Sequence, residues 1–185
     1  NLIRTLQPLS RADLARVSGL QRSTVSLIVE DLIADKWILE GSMGRLPRGR
    51  RPTFLELNHQ RAVIALDIHP TQSTIAVTDL GGKIVAQNVI DLPSDPNKAI
   101  QPIMNAIRKL METHADKSFD GIGVSLPGRA DPLLEKLIFA PNLKWPVLSI
   151  KSRIQKATGL RVEIDNVANA CALSEVWFGE DRKSV

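Results

Sequence analysis

The 185-residue sequence predicts an α/β protein in two parts, a small helical head and a body of alternating strands and helices. Three observations carry this expectation. Apolar residues recur at helical spacing on either side of Gly19. From residue 62 onward, short apolar runs alternate with amphipathic ones in the order βββαβ…αβα. The charge divides at the same place: residues 1–61 hold ten Lys/Arg against six Asp/Glu, whereas residues 62–185 hold fourteen of each. The whole net charge of +4 therefore sits in the head, which suggests a polyanionic partner for it, with a chance excess of four charges as an equal alternative. The expected domains are 1–60 and 61–185.

Hydrophobic residues make up 43% and charged residues 24%, the balance of a folded chain rather than a disordered one. No apolar run approaches the roughly 18 residues of a membrane span. No basic-then-apolar leader opens the chain, and a cytoplasmic setting is expected. The sequence starts on a helical pattern at Asn1, as a trimmed fragment would. The lone Cys171 excludes a disulfide framework or a multi-thiolate zinc site within these residues, and it reads as a buried small hydrophobe. His59, His69 and His114 are scattered without metal-ligand spacing.

In the head, Leu2, Ile3 and Leu6 read as the end of an amphipathic helix stopped near Pro8. Ser10, with Asp13 three residues on, predicts a capping box at the next helix. Leu14, Ala15 and Val17 give that helix an apolar face, and Gly19 ends it by accepting a positive φ. A second helix is expected over about Gln21–Lys36, with Val25, Ile28, Val29, Leu32 and Ile33 as one core stripe. Two short helices joined by a glycine turn form the helix-turn-helix pattern. The first turn of the second helix offers Gln21, Arg22, Ser23, Thr24 and Ser26, whereas Glu30, Asp31 and Asp35 come later. Base edges in a major groove are read by residues at such a helix start. Arg22 would fork onto guanine and Gln21 onto adenine. A solvated helical hairpin is the plainer alternative.

Trp37–Glu40 and Thr53–Leu57 read as two strands of a hairpin. Gly41–Pro52 between them carries four arginines and no acid. Arg48, Gly49, Arg50 and Arg51 suit phosphate contact or a narrow minor groove, and a solvated basic linker is the alternative. Leu9–Lys36 followed by Gly49-Arg50-Arg51-Pro52 resembles the winged helix-turn-helix head of the ROK family of repressors and sugar kinases. The resemblance implies that the head binds double-stranded operator DNA, with the Gly-Arg segment probing the minor groove. Gln21 stands where the family often has Ser or Thr, which weakens the cap of the second helix.

In the body, strands are expected at Val63–Ile68, Ser73–Thr78, Lys83–Val89, Asp120–Leu126, Leu137–Ala140 and Val162–Asp165. Helices are expected at about Asn97–Thr113, Ile150–Thr158 and Asn166–Phe178. The continuous apolar run at Asp120–Leu126 suits a strand covered on both faces. The order of elements resembles one lobe of the actin-like, ribonuclease-H-like ATPase fold. Kinases of that fold open their first hairpin with Asp-x-Gly-Gly-Thr, where glycines let the backbone approach phosphate. Here the stretch is Asp67-Ile68-His69-Pro70-Thr71, and Pro70 removes an N–H donor, so a phosphate cradle is expected to fail. Gly121-Ile122-Gly123 with Gly128 mimics a dinucleotide fingerprint, but its last glycine is misplaced and no helix follows. Ser125 resembles a nucleophile-elbow serine, yet no His or acid is arranged to activate it.

Two further segments resemble the ROK pattern. Gly121–Arg129 is similar to the sugar-side loop, and Asp165–Glu175 to Asn-Asp-x-Asn-Ala-x-Ala-Leu-Ala-Glu. The resemblance implies that Gly128, Arg129 and Asn166 touch sugar hydroxyls. Asn166 reads equally well as a helix N-cap, and both readings stand. Asn142 and Asn169 read as structural. The resemblance places the proton-accepting aspartate of the kinases at position 167, where this chain has Val167, and valine cannot act as a base. It places the zinc ligands, a Glu and a His beyond Gly179, so no cofactor is expected in these residues. It covers almost all of this chain and about half of a typical member. The expected function is a sugar-responsive, homodimeric repressor of carbohydrate genes without kinase activity. The alternatives are a sugar kinase with an appended head and a co-regulator that only dimerises with longer relatives.

Overall fold

The computed structural model describes residues 2–43, 52–131, 136–139 and 150–179. The fold is α/β, and the chain divides into two compact units, Asn1–Arg61 and Ala62–Val185.

The leading unit runs α1 (Leu2–Leu6), β1 (Leu9–Ser10), α2 (Arg11–Ser18), α3 (Arg22–Ala34), β2 (Ile38–Met43) and β3 (Thr53–Leu57). Ser10 caps α2 in a complete capping box: its hydroxyl accepts from Asp13 N, and the Asp13 carboxylate accepts from Ser10 N at 3.1 Å. Gly19 ends α2 at φ 70. β1 pairs antiparallel with β3 through Leu9↔Leu55 and Ser10↔Phe54, giving the sheet order β1-β3-β2. Ile3, Leu14, Val25, Val29, Ile38 and Leu55 form the core. Ile28 departs from the expected stripe and is 45% exposed, because the buried line of α3 runs through Val25 and Val29 and Ile28, one residue before Val29, is turned about 100° away from it.

α3 ends unusually. Lys36 takes φ 59, a left-handed position where glycine is the common choice. Lys36 N donates to Ile33 O and Trp37 N to Leu32 O, both at 2.9 Å, which is the Schellman pair of bonds. The segment after β3 secures this end. Buried Asn58 donates from Nδ2 to Lys36 O at 2.8 Å and accepts from Gln60 N at 3.0 Å. Arg61 donates from Nη1 to Asp35 O at 2.6 Å and lays its guanidinium 3.6 Å from the Trp37 ring centroid.

The second unit contains β4 (Arg61–Asp67), β5 (Ser73–Asp79), β6 (Ile84–Ile90), α4 (Pro96–Thr113), β7 (Ser118–Leu126), β8 (Arg129–Asp131), β9 (Lys136–Phe139), α5 (Ile150–Thr158), β10 (Val162–Asn166) and α6 (Val167–Phe178). Five strands form one sheet in the order β10-β7-β4-β5-β6, with β10 parallel to β7 and β5 antiparallel to both its neighbours. β8 and β9 pair separately. Alternation along the strands sends Ile64, Leu66, Ile75, Val77, Ile122 and Val124 into one core with Ile103 and Ile107 of α4 and Ile150 and Ile154 of α5.

β7 corrects an expectation. Ile122, Val124 and Leu126 are buried, but Gly121, Gly123 and Ser125 on its other face are half-exposed. Two of those three lack side chains, so an apolar reading of the run overstated its coverage. Gly121 has its own reason to be glycine: a Cβ there would lie 2.9 Å from Arg161 O on β10's approach. Cys171 is also exposed rather than buried. It lies on α6, an apolar helix with no buried residue among those described, whose Leu173, Val176, Trp177 and Phe178 are all at least 44% exposed.

Candidate nucleic-acid interface and effector site

The candidate interface begins at the start of α3. Gln21 is its N-cap in an extended conformation, with no side-chain capping bond, so its amide is not spent on the helix. Gln21, Arg22, Ser23 and Thr24 are exposed and Ser26 is half-buried, on the flank nearer the core. No acid lies in the first turn, leaving the positive end of the helix dipole open to an anion. Two ion pairs brace α2 beside it: Arg11 Nη1 meets Glu40 Oε1 of β2, and Arg16 Nη2 meets Asp13 Oδ1, each at 2.5 Å. Hydrogen bonds from the Ser10 hydroxyl and backbone N–H, then the Arg16 charge, hold the Asp13 carboxyl below its ordinary range. Arg48, Gly49, Arg50 and Arg51 lie outside the described residues.

In the second unit, Gly128 and Asn166 come together. Asn166 Nδ2 donates to Gly128 O at 2.5 Å, while its Oδ1 accepts from Ala168 N at 2.7 Å and caps α6. Arg129 opens β8, its backbone opposite Phe139. Val167 is the first residue of α6. Asp165 turns back on the same junction, accepting from Asn166 N at 2.7 Å and Asn169 Nδ2 at 2.9 Å. Asn169 is thus tied to structure.

One contact was not foreseen. Ser125 Oγ donates to Asp67 Oδ1 at 2.7 Å, so an acid does reach this serine. The two residues are 58 apart in sequence, and only the lateral order of β7 and β4 brings them together. The nearest legible signal was that each lies next to the end of an expected strand, Val63–Ile68 and Asp120–Leu126. A cavity of about 710 Å³ opens beside them, walled by Asp67, Ser125, Asp165, Ala170, Leu173 and Trp177 among others. Neither Gly128 nor Asn166 is among its walls. In the loop after β4, His69 N donates to Ser73 Oγ at 3.1 Å, and Pro70 has no N–H to offer. Among the described residues no three His, Cys, Asp or Glu are placed to hold a metal ion, and no helix is long and apolar enough to cross a membrane.

Residues 63–184 match the ROK family. The xylose repressor of Caldicellulosiruptor bescii is 30% identical over 177 residues, which are 93% of this chain and 44% of that protein. A crystal structure of a ROK family transcriptional regulator, a homologue of the E. coli MLC protein, superposes with TM-score 0.76 at 27% identity, covering 96% of this chain and 46% of that one. Nearly all of Asn1–Arg61 must lie within that superposition. A ROK family glucokinase from Streptomyces griseus, solved with glucose and AMPPNP, gives TM-score 0.58 at 27% identity but covers only 64% of this chain and 37% of its own. The chain spans less than half the length of these relatives. A family match to residues 63–184, well over half of the chain, joined to the strand order and the α6 junction, makes this chain a member of the ROK family.

Proposed function

We propose that this chain is the DNA-binding head and part of the sugar-sensing body of a transcriptional repressor of carbohydrate-metabolism genes, and that it has no kinase activity. The observation that carries the reading is the reach of the regulator likeness: it spans 96% of the chain, whereas the glucokinase likeness stops at 64%. The leading unit supplies what a winged helix-turn-helix needs. α2 and α3 meet at Gly19, the polar first turn of α3 faces solvent, and a β2–β3 hairpin follows. Gln21, Arg22, Ser23, Thr24 and Ser26 would meet base edges, and Arg48, Gly49, Arg50 and Arg51 the backbone or minor groove. A dimer follows from this reading, because one head offers too few base contacts and a two-fold operator mirrors a two-fold protein. The effector is a sugar or sugar derivative, the class named in the xylose repressors, with Gly128, Arg129 and Asn166 as its contacts. The reducing cytoplasm is the setting such a regulator requires.

Loss of phosphoryl transfer rests on two separate places in the chain. Val167 offers no base at the start of α6. His69 N is engaged with Ser73 and Pro70 has no donor, so the loop after β4 offers a phosphate few N–H groups.

The test is a gel shift of the chain against duplexes selected from random sequence, at several salt concentrations. Specific binding that weakens steeply with salt supports the reading; binding that ignores sequence and salt overturns it. The similarity of the body to glucokinases favours a second reading, a sugar kinase carrying a DNA-binding head. ATP-dependent phosphorylation of glucose or xylose in a coupled assay would establish that reading in place of the first.

A further inference from the structure

α3 carries an apolar side chain where a solvated helix has no use for one. Leu27 is 63% exposed, the most exposed large hydrophobic among the described residues. Each residue turns the helix by about 100°, so Leu27 points almost directly away from the line of Val25 and Val29, which are 4% and 1% exposed. It occupies the middle of the outward face. Ser23 and Thr24 lie one turn before it on that face, and Glu30 and Asp31 one turn after. Its neighbour Ile28 differs: it walls an apolar groove of about 350 Å³ with Leu2, Leu20, Leu32 and Trp37, and Leu27 is not part of that wall.

We infer that Leu27 is a specificity residue that reads a thymine C5-methyl group in the major groove, an assignment that rests on the DNA-binding reading of the leading unit. A helix entering the groove by its N-terminal turns brings Arg22, Ser23 and Thr24 to the bases first and Leu27 next. The acids Glu30 and Asp31 mark where the surface ceases to suit a polyanion. On a base edge in the major groove the thymine methyl is the one apolar group. Leu27 has no donor or acceptor, so against guanine, cytosine or adenine it strips water from polar atoms without replacing the lost hydrogen bonds. Against thymine it buries two apolar groups together. The preference therefore combines an attraction with a penalty on the other three bases.

The experiment uses the whole chain and a duplex selected by it from random sequence. Each thymine is replaced in turn by deoxyuracil, which keeps every hydrogen-bonding atom and deletes only the methyl. The wild-type chain should lose about threefold to tenfold in affinity at one thymine per half-site. Leu27→Ala should bind the thymine duplex more weakly by a similar factor and be indifferent to deoxyuracil at that position. The side chain is exposed and alanine favours helix, so the variant keeps the fold, which circular dichroism verifies. Specific wild-type binding with no deoxyuracil-sensitive position overturns this inference alone, as does a Leu27→Ala chain that stays sensitive at the same thymine. A Leu27→Ala chain with unchanged methyl sensitivity and an altered mass by light scattering would assign the residue to subunit contact and also overturn it. Absence of any sequence-specific binding removes the DNA-binding reading and this inference with it.

Discussion

Asp13 and Asn166 each do two jobs with one side chain, and both can be probed singly. Asp13 closes the capping box with Ser10 and pairs with Arg16. Its pKa is lower in the folded chain than its ordinary value of 3.8, so the unfolded chain takes up the proton first as pH falls. The stability it contributes is fully present above the ordinary value and disappears as pH drops through the lower folded one. Asp13→Asn should therefore lower the melting temperature of the leading unit at pH 7, and the gap to wild type should close toward pH 3. Asn166 caps α6 through its oxygen and holds the Gly128 carbonyl through its nitrogen. Asn166→Ala should cost about 1–2 kcal/mol in urea denaturation, the sum of a lost cap and a lost hydrogen bond. Asn166→Asp keeps an acceptor for Ala168 N but loses the donor to Gly128, so it should recover the helix cap and not the loop tie. Equal losses for the two variants would show that the cap contributes nothing. If the start of α3 meets DNA as proposed, Arg22→Ala should relax sequence preference at one base pair, worth about 1–3 kcal/mol of discrimination, measured by competition between duplexes.

At the scale of elements, the end of α3 is the place where a local rule is broken and then compensated. Lys36 holds a left-handed φ, and Asn58 and Arg61 fasten the carbonyls on either side of the bend. Lys36→Gly should raise the melting temperature of the leading unit, corresponding to about 1 kcal/mol or less, because only glycine adopts that φ without a Cβ penalty. A drop would mean that the lysine stem packs against something the bend alone does not explain. What could be read from sequence follows the range of the interactions involved. The Ser10–Asp13 box, the Gly19 stop and the Ile150–Thr158 helix ended by Gly159 are each settled within a few residues, and all three appear as expected. β1 is only two residues long and owes its existence to Leu55 and Phe54 on a distant strand, so no local pattern marks it. Ser125 and Asp67 meet through strand order, which periodicity does not encode. Cys171 and the apolar face of α6 show the converse. The pattern correctly marks a helix that ought to be covered, but hydrophobicity alone does not say which neighbour covers it, and among the described residues α6 buries none of its side chains.

At the scale of the whole chain, the division of charge and the division of structure coincide. All of the net +4 belongs to residues 1–61, and contacts separate the chain after Arg61. If the basic unit neutralises phosphates, affinity should fall linearly with salt on a double-logarithmic plot. Arg50→Ala should flatten that line by about one unit of slope while weakening selected and random duplexes alike. A variant that loses sequence preference without altering the slope would place Arg50 on a base instead. The two hydrophobic cores share no residue, which is why a substitution such as Lys36→Gly should be read on the transition of its own unit.

The stacking of Arg61 on Trp37 has an optical consequence. A cation 3.6 Å from an indole centroid perturbs the emission of that ring, and Arg61 is also the residue where the leading unit gives way to β4. With Trp145 and Trp177 changed to phenylalanine, the remaining fluorophore would report in real time whether DNA or a sugar loosens the point at which the polypeptide leaves its head.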